Sequence, residues 1–213
     1  MSLRILIFIC FLTILKFSSV ASVTIECNYT MDYDEFYPCK VQNIDIFNGD
    51  RLFIEKAVGK HDKRKTDDDV EALWIDDANT KFFPRNINNV FKNLVLISIR
   101  NSSLIEITSD DLKVFPQLKT LILFKNQIEV IREDTFKFNP NLEHIYLNYN
   151  KISHIEPKSF SGLENLNFLL LNGNVCKFGY AEDREEVLEV ITELVERKFC
   201  QSQKFQTNLG DEI

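Results

Sequence analysis

The sequence predicts an α/β solenoid, a stack of similar short units that bury one continuous core between them. Three observations lead there. Asn126, Asn150 and Asn174 recur at intervals of 24 residues, and the same aliphatic positions surround each of them. Two looser copies of the same frame precede them. Paired cysteines and a terminal amphipathic stretch bracket the whole array.

Each position in the unit has a physical reason. The clean units read Leu118, Leu121, Leu123, Ile128; Leu142, Ile145, Leu147, Ile152; and Leu166, Leu169, Leu171. In L-x-x-L-x-L a short strand turns alternate side chains inward, so leucines of successive units stack into a core that no unit could bury alone. The Asn follows where the chain leaves the strand. Its amide donates to and accepts from backbone groups that would otherwise be buried unpaired, each worth about 1–3 kcal/mol. Asn126, Asn150 and Asn174 are therefore expected to form a structural ladder, and Phe136 and Phe160 to plug the core opposite the strands. Asn141 falls outside the ladder frame and is expected to carry little.

Carried backward, the frame finds Leu94, Ile97, Ile99 and Leu104 with Ser102 in the Asn position, then Val70, Leu73 and Ile75 with Ala78 there. Serine supplies part of the bonding and alanine none. The ladder should loosen toward its amino-terminal end, and backbone near Ala78 must find another partner.

The pattern L-x-x-L-x-L-x-x-N-x-I, held over Val70 to Asn174, resembles that of the extracellular leucine-rich-repeat family. It is most similar in style to short secreted insect members, the leucine-rich immune proteins and Toll-type ectodomains. The resemblance implies a curved stack with a parallel sheet on its concave face, working by binding partners. Five repeats are few for the family, and Ser102 and Ala78 depart from its ladder.

Residues 1–21 carry Arg4, an apolar run from Ile5 to Leu15 and small residues ending at Ala21. This reads as a secretory signal peptide; the run is shorter than the roughly 20 residues that span a bilayer. The product is expected to be secreted and extracellular, without membrane insertion once the signal is removed. Cleavage removes Arg4 and Lys16 and no acid, taking the net charge from −7 to −9. That balance argues against nucleic acid and anionic membrane as partners.

Of the five cysteines, Cys10 leaves with the signal, and the other four lie in two pairs at opposite ends of the stack. Cysteine α-carbons must approach within about 7 Å to bond, so the expected bridges are Cys27–Cys39 and Cys176–Cys200. Secretion favours bridges over a metal site, and no C-x-x-C spacing exists. Two sequons, Asn28-Tyr29-Thr30 and Asn101-Ser102-Ser103, make Asn28 and Asn101 candidate glycosylation sites.

Residues 22–69 read as a disulfide-tied amino-terminal cap of short strands, ending in the charged insertion "KAVGKHDKRKTDDD", taken as a solvated loop with a solvated His61. Residues 70–175 are the repeats. In residues 176–201, Val187, Val190 or Ile191, Leu194 and Val195 recur at helical spacing opposite acids, which predicts a capping helix. Residues 202–213 are expected to be a disordered tail.

Chemistry is sparse. His144 lies on the sheet and His154 beyond the Asn turn, so they should not meet. Glu143 and Glu156 are likewise parted by the turn, giving no paired-carboxylate site. No catalytic residue, metal site or cofactor is predicted, and the chain is not expected to be an enzyme. The concave face is more informative. Its outward positions read Ala72, Leu96, Thr120, His144, Phe168 and Trp74, Ser98, Ile122, Tyr146, Leu170, flanked by Phe124 and Tyr149. A solvated sheet face is normally polar, so this stripe predicts a binding surface for a protein partner, formed by Trp74, Leu96, Ile122, Phe124, His144, Tyr146, Tyr149, Phe168 and Leu170. Innate immunity or extracellular signalling is the expected setting. The alternative is a structural role, in which copies of the chain assemble as a homo-oligomer in a matrix or secreted complex.

Overall fold

The computed structural model describes residues 22–31, 35–42, 52–176 and 180–196. The predicted signal peptide, the tail and Cys200 lie outside the described residues. Parallel pairing of one strand per repeat builds the main sheet. β4 (Ala72–Asp76), β5 (Leu96–Arg100), β6 (Thr120–Ile122), β8 (His144–Tyr146) and β10 (Phe168–Leu170) follow one another in register, each residue opposite the one 24 positions on. Three cap strands extend this sheet. β2 (Pro38–Gln42) pairs parallel with β4, β1 (Ser22–Asn28) antiparallel with β2, and β3 (Phe53–Val58) parallel with β1 at the edge. At the far end β11 (Tyr180–Ala181) adds antiparallel to β10. The result is a curved solenoid whose main sheet has, among the described residues, nine strands ordered β11-β10-β8-β6-β5-β4-β2-β1-β3.

The other side of each repeat is irregular. Two repeats make a single helical turn there, α1 (Ile87–Val90) and α2 (Ser109–Leu112), and two make turns, joined by a small parallel ladder of β7 (Val130–Ile131) and β9 (His154–Ile155). Phe136 and Phe160 stack at 5.6 Å between ring centres and are buried, filling the predicted plug positions. Every aliphatic of the frame, from Val70 to Leu171, is buried.

The ladder is regular where asparagine is present. Nδ2 of Asn126, Asn150 and Asn174 donates to the carbonyl three residues back and to the one 27 back. Oδ1 accepts the backbone N–H 22 residues back, from Leu104, Ile128 and Ile152. Each amide thus closes its own turn and ties it to the preceding one. At the thinner end, the Ser102 hydroxyl accepts the N–H of Ala78 at 3.1 Å.

Asn141, outside the ladder frame, has a place of its own: with Asn93 and Asn165 it forms a second, exposed ladder, each Nδ2 donating to the carbonyl 25 residues back. One expectation needs correction, since His61 is not solvated. Its ring stacks on Tyr29 at 3.8 Å, Nδ1 lies 3.2 Å from the Tyr37 hydroxyl, and Nε2 lies 3.1 Å from Asp67. The Tyr29 hydroxyl donates to the same carboxylate at 2.7 Å, and the Asp62 N–H donates to the Tyr37 oxygen. Burial, followed by the Asp67 contact, holds the Tyr29 phenol well above the ordinary tyrosine range. The charged insertion is therefore clasped onto the cap by two buried tyrosines, and its composition hid this. Each aspartate after the basic run has its own contact: Asp67 in this clasp, Asp68 with Lys92, and Asp69 with Lys65 and the Thr66 N–H.

Cys27 and Cys39 are bonded, linking β1 to β2. Cys176 is also disulfide-bonded, while its expected partner is outside the described residues. The carboxyl-terminal helix, α3 (Arg184–Glu196), packs Val187, Val190, Ile191 and Leu194 against the core. Nη1 of Arg184 donates to the carbonyls of Leu163 and Leu166 in the last repeat.

Candidate functional site

Strand pairing fixes the concave face. Parallel register sets Lys40, Trp74, Ser98, Ile122, Tyr146 and Leu170 in one row across the sheet, and antiparallel β11 adds Tyr180 opposite Leu170. A second row runs Pro38, Ala72, Leu96, Thr120, His144 and Phe168. At about 4.8 Å per strand, the first row is close to 30 Å long.

The face has two unlike halves. Toward the amino-terminal end it is closed by its own packing. Ala72 and Ser98 are buried and Leu96 is 8% exposed. Leu96 is thus corrected from surface to packing. Trp74 is half-buried, with the Arg100 guanidinium 5.1 Å above its ring. Arg100 in turn grips Asp76 with two bonds, of 2.7 and 2.5 Å, and this contact holds its pKa above the ordinary value. Lys40, Val41, Trp74, Asp76 and Arg100 line a cleft of about 310 Å³. Trp74 Nε1 and Ser98 Oγ, on adjacent strands of one row, are buried without a hydrogen-bond partner among the described residues.

Toward the carboxyl-terminal end the face is aromatic and partly open. Tyr146 and Phe168 meet at 5.0 Å between ring centres, His144 and Phe168 at 5.9 Å. The His144 ring also reaches Thr120 Oγ1 at 3.5 Å. Ile122 and Leu170 are half-buried beside them. Burial raises the Tyr146 phenol above its ordinary pKa. At the rim, Phe124 meets Tyr149 edge-on at 5.5 Å, and Tyr149 is 53% exposed. Tyr180, 61% exposed, completes the row and was not anticipated. It lies beyond the last repeat, where the 24-residue frame gives no position to its side chain; the only signal was Tyr180 preceding a small inward Ala181.

The two histidines lie in different sheets, His144 in β8 and His154 in β9. Among the described residues there is no group of three histidine, cysteine or acidic side chains placed to hold a metal, and no helix long and apolar enough to cross a membrane. Of the two sequons, Asn28 ends β1 with its Oδ1 accepting the Thr30 N–H, and Asn101 donates to Asp77.

Residues 116–175 match the family described as leucine rich repeat. No curated protein matches the chain. Two solved structures are similar in part. One is the crystal structure of a TLR13-ssRNA13 complex, at 23% identity over 58% of this chain and 21% of that one, with a TM-score of 0.42. The other is an octameric complex of Latrophilin 3, Unc5D and FLRT2, at 17% identity over 51% of this chain and 39% of that one, with a TM-score of 0.39. This chain thus spans about a fifth and two-fifths of their lengths, and superposition that loose says nothing about ligands. The family match thus identifies residues 116–175 as leucine-rich repeats, and the 24-residue frame carries the same pattern back to Val70.

Proposed function

We propose that the chain is an extracellular recognition module that captures a protein partner on its concave face. The observation that carries this is the run Ile122, Tyr146, Phe168, Leu170 and Tyr180, contiguous across four strands and half-buried to exposed. Aromatic side chains that are already packed against one another lose little freedom on binding and are the commonest anchors of protein interfaces. Secretion is supported by the leader-like residues 1–21 and by the Cys27–Cys39 bridge. The kinship with short secreted insect members, an immune or signalling setting, and glycosylation at Asn28 or Asn101 belong to the same reading. The acidic balance supports a protein rather than a nucleic acid as partner.

The test is capture from the extracellular fluid of the source organism on the immobilised chain. Phe168→Ser and Tyr146→Ser should lose the captured protein, while Phe138→Ser, exposed on the opposite side, should keep it. Equal capture by all three would overturn the concave face as the site. Retention of single-stranded RNA with an affinity the hollow variants abolish would replace the protein by a nucleic acid.

The assembly reading has an observation of its own. Val114 and Phe138 stand 24 residues apart in the turns opposite the strands, both more than 40% exposed, and form an apolar column facing away from the hollow. Sedimentation showing a monomer at every concentration would remove it.

A further inference from the structure

The residue before each ladder position has a backbone conformation that its side chain does not always suit. Asp77, Asn101, Lys125, Tyr149 and Gly173 all have positive φ, between 51° and 73°. The stack imposes this. The N–H of Asp77, Asn101, Lys125 and Tyr149 donates to a carbonyl of the next repeat, on Arg100, Phe124, Asn148 and Asn172 respectively. Whatever residue occupies the position must therefore be left-handed. Glycine, asparagine and aspartate tolerate that region; a bulky aromatic does so at a cost.

Tyr149 bears that cost without the compensation of deep burial, since half of it faces solvent. Its neighbours nevertheless seat the ring. Phe124 meets it edge-on, and the next repeat supplies Gly173, where a Cβ would stand 2.9 Å from the Tyr149 ring. One neighbour braces the tyrosine and the other leaves room for it. Residues strained by their surroundings yet exposed concentrate at binding sites.

The charges around the ledge indicate what it meets. Lys125, in the adjacent rim position, lies 5.8 Å from the Phe124 ring, and Lys151 is exposed two residues beyond Tyr149. Neither has an acidic partner among the described residues. Lys125 and Lys151 thus set two cations without an acidic partner beside Tyr149, on a chain of net charge −7.

We propose that Tyr149, seated on Gly173 and Phe124, is an anchor for a protein segment that presents an apolar or aromatic side chain flanked by acidic residues. The proposal rests on the concave-face reading and extends that site over its rim. Charge complementarity fixes the flanks, and the exposed ring fixes the central residue.

The test selects peptides from a random phage-displayed library on the full wild-type chain and measures the recovered peptide against variants by fluorescence anisotropy. The recovered peptides should carry Asp or Glu beside an apolar residue. Tyr149→Asn, which installs the residue found in the same position at 101, should weaken binding roughly 30-fold and melt no lower than wild type. Lys125→Glu with Lys151→Glu should weaken it further at low salt than at high salt. Peptides without acids, no recovered peptide, unchanged binding by Tyr149→Asn, or a lowered melting point for that variant would each overturn the proposal. Phe168→Ser separates the two claims: binding lost there but kept by Tyr149→Asn preserves the concave face and removes the ledge, whereas binding kept by both removes both.

Discussion

The Ser102 hydroxyl accepts the backbone N–H of Ala78 at 3.1 Å and donates to the carbonyl of Arg100, so a serine stands in for an asparagine where the ladder runs out. The Ser102 N–H is itself held by Asn126 Oδ1. Ser102→Ala should destabilise the chain by about 1–3 kcal/mol, because a buried N–H loses its acceptor. Ser102→Asn should stabilise it by about 1 kcal/mol, because the longer amide gains the donor that its counterparts at 126, 150 and 174 use. Thermal melts of both variants decide the point. A serine variant with alanine that melts like wild type would mean the Ala78 N–H has another partner.

The two asparagine ladders should differ in weight. Asn150 is buried and donates to Leu123 and Leu147 while accepting from Ile128. Asn141 is exposed and makes one bond, to the Pro116 carbonyl. Asn150→Ala should cost about 3 kcal/mol and Asn141→Ala under about 1 kcal/mol, since water can replace the exposed bond but cannot reach the buried ones. Urea denaturation of both gives the comparison; equal midpoints would remove the distinction between inner and outer ladder.

The clasp on the charged insertion makes a kinetic prediction. Lys63, Arg64 and Lys65 are exposed at its tip, with Arg64 left-handed, yet the chain on either side is held through His61 and Asp67. A protease needs a segment it can draw out. Trypsin should therefore cut slowly after Lys63, Arg64 and Lys65 in the wild type and much faster in Asp67→Ala, where Tyr29 and His61 lose a shared acceptor. Equal cutting rates would show that the loop is free despite its contacts.

How much of this the sequence carried follows from where its period reaches. Leu121, Ile145 and Leu169 could be placed because a strand fixes which side chains turn inward and the 24-residue spacing fixes the stack. Ser102 could be assigned a reduced role for the same reason. Asn139 could not: it is buried where other repeats hold Phe115 and Leu163, donating to two carbonyls, and nothing in its type marks it as core. His61 and Asp67 read as solvent-facing by sequence because charged composition is their only local signal, and the tyrosines that hold them lie more than 20 residues away. On the concave face the period gave the rows but not their depth. Ser98 and Ile122 are equivalent by spacing, yet one is buried and the other half-buried.

Arg184 should act as the carboxyl-terminal equivalent of the ladder. A single guanidinium nitrogen bonds the carbonyls of Leu163 and Leu166, at 3.0 and 2.9 Å, and so joins α3 to the last repeat. Arg184→Met keeps the aliphatic stem and removes both donors. It should cost about 2–3 kcal/mol, the range for bonds to a charged group, and hydrogen exchange should rise first in α3 rather than in the central strands. Uniform exchange across the molecule would mean that helix and repeats unfold together.

The last residue of β8 and the one after it give the sharpest separation between surface and core. Tyr146 turns into the hollow, half-buried against Phe168, whereas Leu147, the next residue, is fully buried among the stacked aliphatics. Leu147→Ala removes three carbons from a closed interior and should destabilise the fold by about 2–5 kcal/mol. Tyr146→Ala loses one face of an aromatic contact, worth about 0.5–1.5 kcal/mol beyond its area, and the space it leaves opens to solvent rather than to a cavity. The melting point should therefore fall several times further for Leu147→Ala than for Tyr146→Ala. If Tyr146→Ala melts as low as Leu147→Ala, the aromatic row is part of the core, and its half-exposed rings are not a surface held ready for a partner.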